Sequence, residues 1–422
     1  MTHPTAAANP ATPRIALALA GGGPLGAIYE IGALCALQES LQGINFTQLQ
    51  HYVGVSAGGF IAAGLANGMT PQQLFSLFIE DRRRQTEAFD PSWLLRPAFS
   101  EYFSRSLRLP ELIFSGALHN SLGRRSLMST LERLSPSLPT GIFSNAHIDV
   151  ELARLFSRPG RSNDFRQLKN RLTLVATHLD SCQPVAFGRA GWDHVPISKA
   201  IQASAALPGL FPPVEIEGQH YCDGALTKTM HASIALDEGV DLMLCLNPLV
   251  PFDASAPLPG TDIDTLSPWA SPGKIPRIVD GGLPAVLSQT FRSLIHSRLV
   301  LGLKAYEQAY PNTDIVLIEP NHRDPELYLA NTFSYSQRRH LAEHAYQQTR
   351  QMLRSRQTGL GAKLGYHGIS LNHAALDDTH RHLCPPKHPP TRVGQSLTRL
   401  HNIMDNLQHV VNVASHKGVS TW

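Results

Sequence analysis

Two short stretches carry the residue types that acyl transfer requires. The first is GVSAG at 54–58, where Gly54, Ser56 and Gly58 fit G-x-S-x-G. A serine on a tight strand-to-helix turn takes a strained backbone, so its neighbours two before and two after must be small. Its hydroxyl is then exposed at a helix N-terminus, where the helix dipole helps to stabilise negative charge. The flanks suit this: HYVGV (51–55) reads as a strand and AGGFIAAGLANG (57–68) as a small-residue helix. The second stretch is AGGGPLGAIYE (20–30), in which Gly21, Gly23 and Gly26 fit G-x-G-x-x-G between an apolar run and a helical pattern. That context is the one in which glycines cradle a dinucleotide phosphate.

A dinucleotide fold would need an acidic residue about 20 positions past the glycines. The corresponding region, INFTQLQHYVGVS, has none and ends in the serine turn. The glycine loop has a better use as an oxyanion hole, in which fixed backbone N–H groups point to where an alkoxide forms. The candidate donors are Gly22 and Gly23, since Pro24 has no N–H.

Ser56 needs a proton acceptor. The chain has 20 histidines, but His194, His220, His231 and the later ones stand singly and read as surface or hydrogen-bonding groups. His380, His382, Cys384 and His388 gather in a Pro-rich tail, at a spacing that fits no standard metal site, so no metal is expected. The more telling carboxylate is Asp223 in YCDGA, which ends a strand pattern and precedes Gly224 and Ala225. Asp-Gly is also ordinary turn chemistry. A Ser–His–Asp triad, with a histidine as base, stays open at this point.

The elements that must position these residues alternate. A strand, glycine loop, helix, strand and helix fill 14 to about 80. LTLVATHL (172–179), DLMLCLN (241–247) and DIVLIEP (314–320) read as buried strands. A helix is expected from about Ile197 to Ala206, and VEIEGQHYCDGA (214–225) reads as a hairpin turning at Glu217-Gly218. This rhythm predicts an α/β fold with a parallel sheet and helices on its faces. A long helix is expected over about 284–310 with Leu287, Phe291, Leu294, Ile295, Leu299 and Leu303 on one face, and a polar-faced helix over 336–356. Residues 251–283 read as a long loop, and 357–395 as irregular. A last helix at about 397–414 carries Leu400, Met404, Leu407 and Val411 on one stripe.

GGGPLG (21–26), GVSAG (54–58) and DGA (223–225), in this order, resemble the patatin-like phospholipase family. ASAALPGLFPPV (203–214) is similar to the small-residue and proline segment that precedes the family's DG[AG]. The resemblance spans roughly 14–250. It implies a three-layer α/β/α sandwich with a mainly parallel central sheet, here followed by a helical C-terminal extension. It implies Ser56 as nucleophile and Asp223 as proton acceptor, a dyad without histidine, with Gly22 and Gly23 as the oxyanion hole. It further implies hydrolysis of glycerolipid acyl esters without metal or organic cofactor. One departure stands out: many members carry Lys or Arg where this chain has Leu25. A catalytically weak lipid-binding or regulatory protein on the same fold is therefore the alternative reading.

The remaining features bound the setting. The 422 residues carry a net charge of +3, with no global basic field for nucleic acid. Basic residues cluster locally at Arg82–Arg84, Arg124–Arg125 and Arg338–Arg339, which read as solvated faces or lipid contacts. Five scattered cysteines without C-x-x-C predict reduced thiols. The start of the chain lacks a secretory pattern and no run suits a membrane span, so a cytoplasmic protein peripheral to a membrane or lipid surface is expected. The expected organisation is a loose leader (1–13) and a patatin-like catalytic domain (14–250) with an insertion at about 85–150. Beyond it come a loop, long helix, strand and helix packed on the core (251–356), then a His/Pro-rich segment with an amphipathic helix (357–422). The insertion holds Trp93, Leu94, Leu95, Phe99, Tyr102, Phe103 and Phe114, and reads either as a lipid-facing lid or as a helical excursion packed on the core.

Overall fold

Alternating apolar strands and helices build one mixed sheet with helices on both faces. The computed structural model describes residues 13–80, 139–255, 277–329 and 335–384. Its strands are β1 Ile15–Leu19, β2 Leu41–Gln42, β3 His51–Val55, β4 Arg171–His178, β5 Pro184–Phe187, β6 Val214–Ile216, β7 Gln219–Asp223, β8 Leu242–Leu246, β9 Asp314–Ile318 and β10 Ser370–Leu371. The principal helices are α1 Gly23–Ser40, α2 Ala57–Ala66, α3 Pro71–Phe78, α4 Ala146–Phe156, α5 Ile197–Ser204, α6 Gly282–Ala309, α7 Tyr335–Ser355 and α8 Gln357–Tyr366.

The sheet order is β6-β7-β4-β3-β1-β8-β9, with β5 also paired to β4. Strands β4, β3, β1, β8 and β9 run parallel, whereas β5 and β7 meet β4 antiparallel and β6 meets β7 antiparallel. Strands β2 and β10 form a separate antiparallel pair. Strand β9 thus joins the main sheet from beyond residue 250.

Residue alternation explains the layers. In β1, Ile15, Leu17 and Leu19 enter the core shared with α1, α2 and α7, while Ala16 and Ala18 face the opposite side. In β8, Leu242, Leu244 and Leu246 face the first core, while Met243 and Cys245 face the second. The second core is closed by a short helix at Ser233–Leu236 and by Leu299, Leu303 and Tyr306 of α6. Strands buried on both faces need apolar residues at every position, which is why IALAL and LMLCL read as continuous runs.

Several expectations change. The apolar positions of α6 do not form one buried face: Ile295 and Leu299 are buried, but Leu287, Phe291 and Leu294 are exposed. Neighbouring helical positions point about 100° apart, so a wide apolar arc need not be covered throughout. Residues 357–366 are helical rather than irregular, with Leu364 buried and Leu360 packed on the core. Tertiary burial there outweighs the low helix propensity of three glycines in QTGLGAKLGY. Arg338–Arg339 is not a solvated face, since Arg338 is buried and Arg339 pairs with Glu80. The described cysteines are free thiols, with Cys35, Cys222 and Cys245 buried. No described helix is long and apolar enough to cross a membrane. The leader through residue 12, Arg82–Arg84, the aromatic segment 93–114, Arg124–Arg125, His388 and the stripe from Leu400 to Val411 lie outside the described residues.

Candidate active site

Three loops meet at the carboxyl ends of β1, β3 and β7. The first is the serine turn. Strand β3 stops at Val55, helix α2 starts at Ala57, and Ser56 alone makes the turn with φ +52° and ψ −122°. A non-glycine residue in that region costs about 1–3 kcal/mol and persists only where its surroundings over-determine it. Here Ser56 N–H donates to Ser204 Oγ at 2.8 Å, and Ser204 Oγ in turn donates to the Val175 carbonyl at 2.6 Å. The neighbour at 58 has no room for a side chain, because a Cβ on Gly58 would fall 2.5 Å from the Leu19 carbonyl oxygen. Gly54 lies equally close against Gly59 and Ala62.

The second loop carries Asp223. The β6–β7 hairpin turns through Glu217 (φ +53°) and Gly218 (φ +75°), the paired left-handed conformation of a tight hairpin, as the sequence predicted. Asp223 ends the returning strand and is buried. Its backbone N–H donates to the Ala206 carbonyl (3.0 Å), and its carbonyl accepts from Thr177 Oγ1 (2.9 Å). The carboxylate Oδ1 accepts the Ala225 N–H at 2.9 Å. Burial pushes the carboxyl up to about 6, while the neighbouring Ser56 hydroxyl and the Ala225 N–H pull it down. Gly224 is confined as tightly as Gly58, for a Cβ there would sit 2.2 Å from the Val175 carbonyl oxygen.

The third loop is the glycine run. A Cβ placed on the buried Gly21 would stand 3.2 Å from Ser56 Cβ, 3.3 Å from Ala225 Cβ and 3.8 Å from Ser56 Oγ. Gly21 is therefore the point at which all three loops converge. Gly22 caps α1, and Gly23, exposed at φ +60°, begins it. The first-turn N–H groups of a helix have no partners within it, which leaves this terminus suited to negative charge. Gly22 and Gly26 both rest against the ring of Pro248, which follows β8. Leu25 is half-buried and packs on the main core.

Some of these contacts lay outside the sequence reading. Ser204 and Ala206 together grip both Ser56 and Asp223, and only the small-residue run 203–206 hinted at them. His231 is buried at φ +49°, with Nε2 3.2 Å from both the Gly224 carbonyl and Thr227 Oγ1. Burial lowers it to about 4, so it is a neutral prop for the Asp223 loop. His194 pairs with Glu217, and His382 with Glu343. Glu30, within α1, is fully buried and held by burial well above the usual carboxylate range.

The family model for patatin-like phospholipases matches residues 17–236, just over half of the chain. The chain belongs to this family. All three loops fall within the matched segment. An uncharacterized protein, R571, of Acanthamoeba polyphaga mimivirus is 24% identical over 227 residues, 53% of this chain and 62% of that one. The chain thus spans less than two thirds of that relative's length. Among solved structures, VipD from Legionella pneumophila aligns at TM-score 0.37 and 16% identity, covering 82% of this chain and 67% of its own. The type III effector protein ExoU aligns at TM-score 0.33 and 18% identity, covering 83% and 54%. The mixed sheet with helices on both faces agrees with the family-model match.

Proposed function

We propose that this patatin-like phospholipase hydrolyses the acyl esters of lipids through a Ser56–Asp223 dyad. The observation that carries the reading is one buried carboxyl, lifted to about 6, on a loop that meets the strained Ser56 turn at Gly21. An ordinary aspartate, near 3.9, is a weak base for a hydroxyl. Burial brings this one close to neutral pH, where a general base works best.

In the proposed reaction Asp223 takes the Ser56 proton as Oγ bonds to the ester carbonyl carbon. The carbonyl π pair moves to oxygen, and the Gly22 and Gly23 N–H groups stabilise the resulting alkoxide. That pair returns as the C–O bond to the leaving alcohol breaks, and Asp223 hands its proton to the alcohol. A water, deprotonated by Asp223, then attacks the acyl-serine. The acid leaves, and Ser56 recovers its proton. Every group in this scheme comes from the chain, so the reading requires no metal or cofactor.

The substrate is proposed to be a phospholipid or lysophospholipid presented at a membrane or lipid surface. The aromatic segment 93–103 would serve such a surface, so its deletion should reduce turnover of vesicles more than turnover of a soluble short-chain ester. Equal loss on both would remove that idea. Leu25 favours a second reading, because an apolar side chain replaces a fixed cation beside the loop: a slow, lipid-binding protein. Hydrolysis of a p-nitrophenyl ester and of phospholipid vesicles by wild type, Ser56→Ala and Asp223→Asn separates the cases. Active wild type with both variants near background supports the dyad. Loss in Ser56→Ala alone requires a histidine base, and an inactive wild type moves the binding reading ahead.

A further inference from the structure

Three side chains distant in sequence converge beyond the glycine loop, at the carboxyl ends of β8 and β9. Glu319 directly follows β9, His322 lies three residues further on, and His296 comes from the middle of α6. One nitrogen or oxygen atom from each lies within 4.8 Å of the other two. His296 Nδ1 is 3.9 Å from Glu319 Oε2, and His322 Nε2 is 3.7 Å from Glu319 Oε1. The two imidazoles meet edge to face at 4.7 Å between centroids.

These separations are too long for hydrogen bonds. His296 Nδ1 is buried and has no hydrogen-bond partner. Around a tetrahedral ion with bonds of about 2.0–2.1 Å, ligand atoms stand about 3.3 Å apart. The two histidine–carboxylate separations exceed this by about half an ångström, and side-chain rotation would have to draw the cluster, now within 4.8 Å, around one ion. The carboxylate is already oriented: the fully buried Asn247 donates Nδ2 to Glu319 Oε2 at 3.1 Å. Partners of this kind fix the direction of metal ligands in known sites. The nearby cation Arg292, one turn earlier on α6, is engaged elsewhere, with the Val250 carbonyl and over the Tyr328 ring. Side-chain exposures of 17% for His296, 20% for Glu319 and 36% for His322 leave the cluster open to solutes.

We propose that His296, Glu319 and His322 bind one divalent transition-metal ion of the zinc class, with a fourth position left to water or an anion. Two imidazoles and one carboxylate suit zinc-class ions, whereas Ca²⁺ and Mg²⁺ prefer all-oxygen sites. The ion would tie α6 to the end of β9. Ser56 follows β3, three strands away, or about 14 Å at the usual inter-strand spacing. The ion therefore stands apart from the proposed dyad, and the inference does not depend on that dyad.

The test uses the full chain, stripped with EDTA and then titrated with Zn²⁺ or with Co²⁺ as a visible probe. Wild type should take up one equivalent at this site, show the Co²⁺ ligand-field bands of a low-coordinate site and gain thermal stability. Ca²⁺ and Mg²⁺ should produce no such gain. His296→Ala, Glu319→Gln and His322→Ala should each weaken binding by more than the roughly 10–100-fold that loss of a ligand's outer-shell partner costs. The chain has 20 histidines, so His382→Ala serves as the control and should leave binding intact. X-ray absorption on the wild-type zinc form should report imidazole nitrogen and oxygen neighbours without sulfur, a readout that survives any folding defect in the variants. No uptake by wild type, sulfur ligation, or unchanged uptake in a folded His296→Ala/His322→Ala variant would overturn the proposal.

Discussion

The two ends of the same strands are built in opposite ways. At the amino ends of β3 and β4, Glu238 meets three basic side chains: Arg171 at 2.6 Å, His51 at 3.0 Å and Arg189 at 3.3 Å. His51 Nε2 also meets Thr173 Oγ1 at 2.8 Å, and Arg14 pairs with Asp241 nearby at 2.9 Å. Burial alone would raise the Glu238 carboxyl, but Arg171, His51 and Arg189 outweigh it and hold it below the usual range. Five residues along β3, at its carboxyl end, the logic reverses. Asp223 is buried near a strained serine, its carboxylate accepts the neutral Ala225 N–H, and its carboxyl rises to about 6. Paired charge holds one end together, while the other keeps a strained serine near a buried carboxyl, the setting in which perturbed proton affinities are found.

The contrast can be broken by removing its central atoms. Ser56→Ala should lower ester hydrolysis by at least about 10³-fold while the chain stays folded, and Asp223→Asn by about 10²–10⁴-fold. Steady-state kinetics with circular dichroism checks both, and a folded Ser56→Ala variant with near-wild-type turnover would refute the dyad. Ser204→Ala should come next. It strips the partner from the Ser56 N–H and should cost about 1–3 kcal/mol in denaturant unfolding. A misplaced nucleophile should also lower kcat about tenfold or more with little change in KM. Stability loss without a kcat change would make Ser204 purely structural.

Acidity sharpens the comparison. Activity should require ionised Asp223, so kcat/KM should rise with pH through about 6 and then level off. Stability should run the other way. The unfolded carboxyl ionises near 3.8, below the folded value of about 6, so the unfolded chain releases its proton first. Stability then falls between these values and stays lower above them, by up to about 3 kcal/mol. Asp223→Asn should therefore raise Tm at about pH 8 and have little effect at about pH 4. An unshifted Tm at both would mean that the carboxyl is not perturbed. The smallest effect belongs to the amino end. Glu238→Gln should cost only about 1 kcal/mol, because Arg171 and Arg189 are largely exposed. It should leave kcat/KM within about twofold. A large loss of activity there would erase the difference between the two ends.

Local chemistry in the sequence determined the serine turn, the glycine loop, the Asp223 hairpin and the order of the parallel strands' residues. Small residues around Ser56, Gly-rich flanks and apolar runs each have a steric or solvation reason that operates within a few positions. Tertiary structure alone decided the rest. The proton affinity of Asp223 depends on burial by elements from across the chain, and the strain at Ser56 is held by Ser204, 148 residues away. The apolar arc of α6 looked uniform, but which side meets the sheet depends on where β8 and β9 lie. His296, Glu319 and His322 show no spacing motif, because a helix and the end of a strand bring them together. Spacing along the chain can encode only those contacts that a single local element can make.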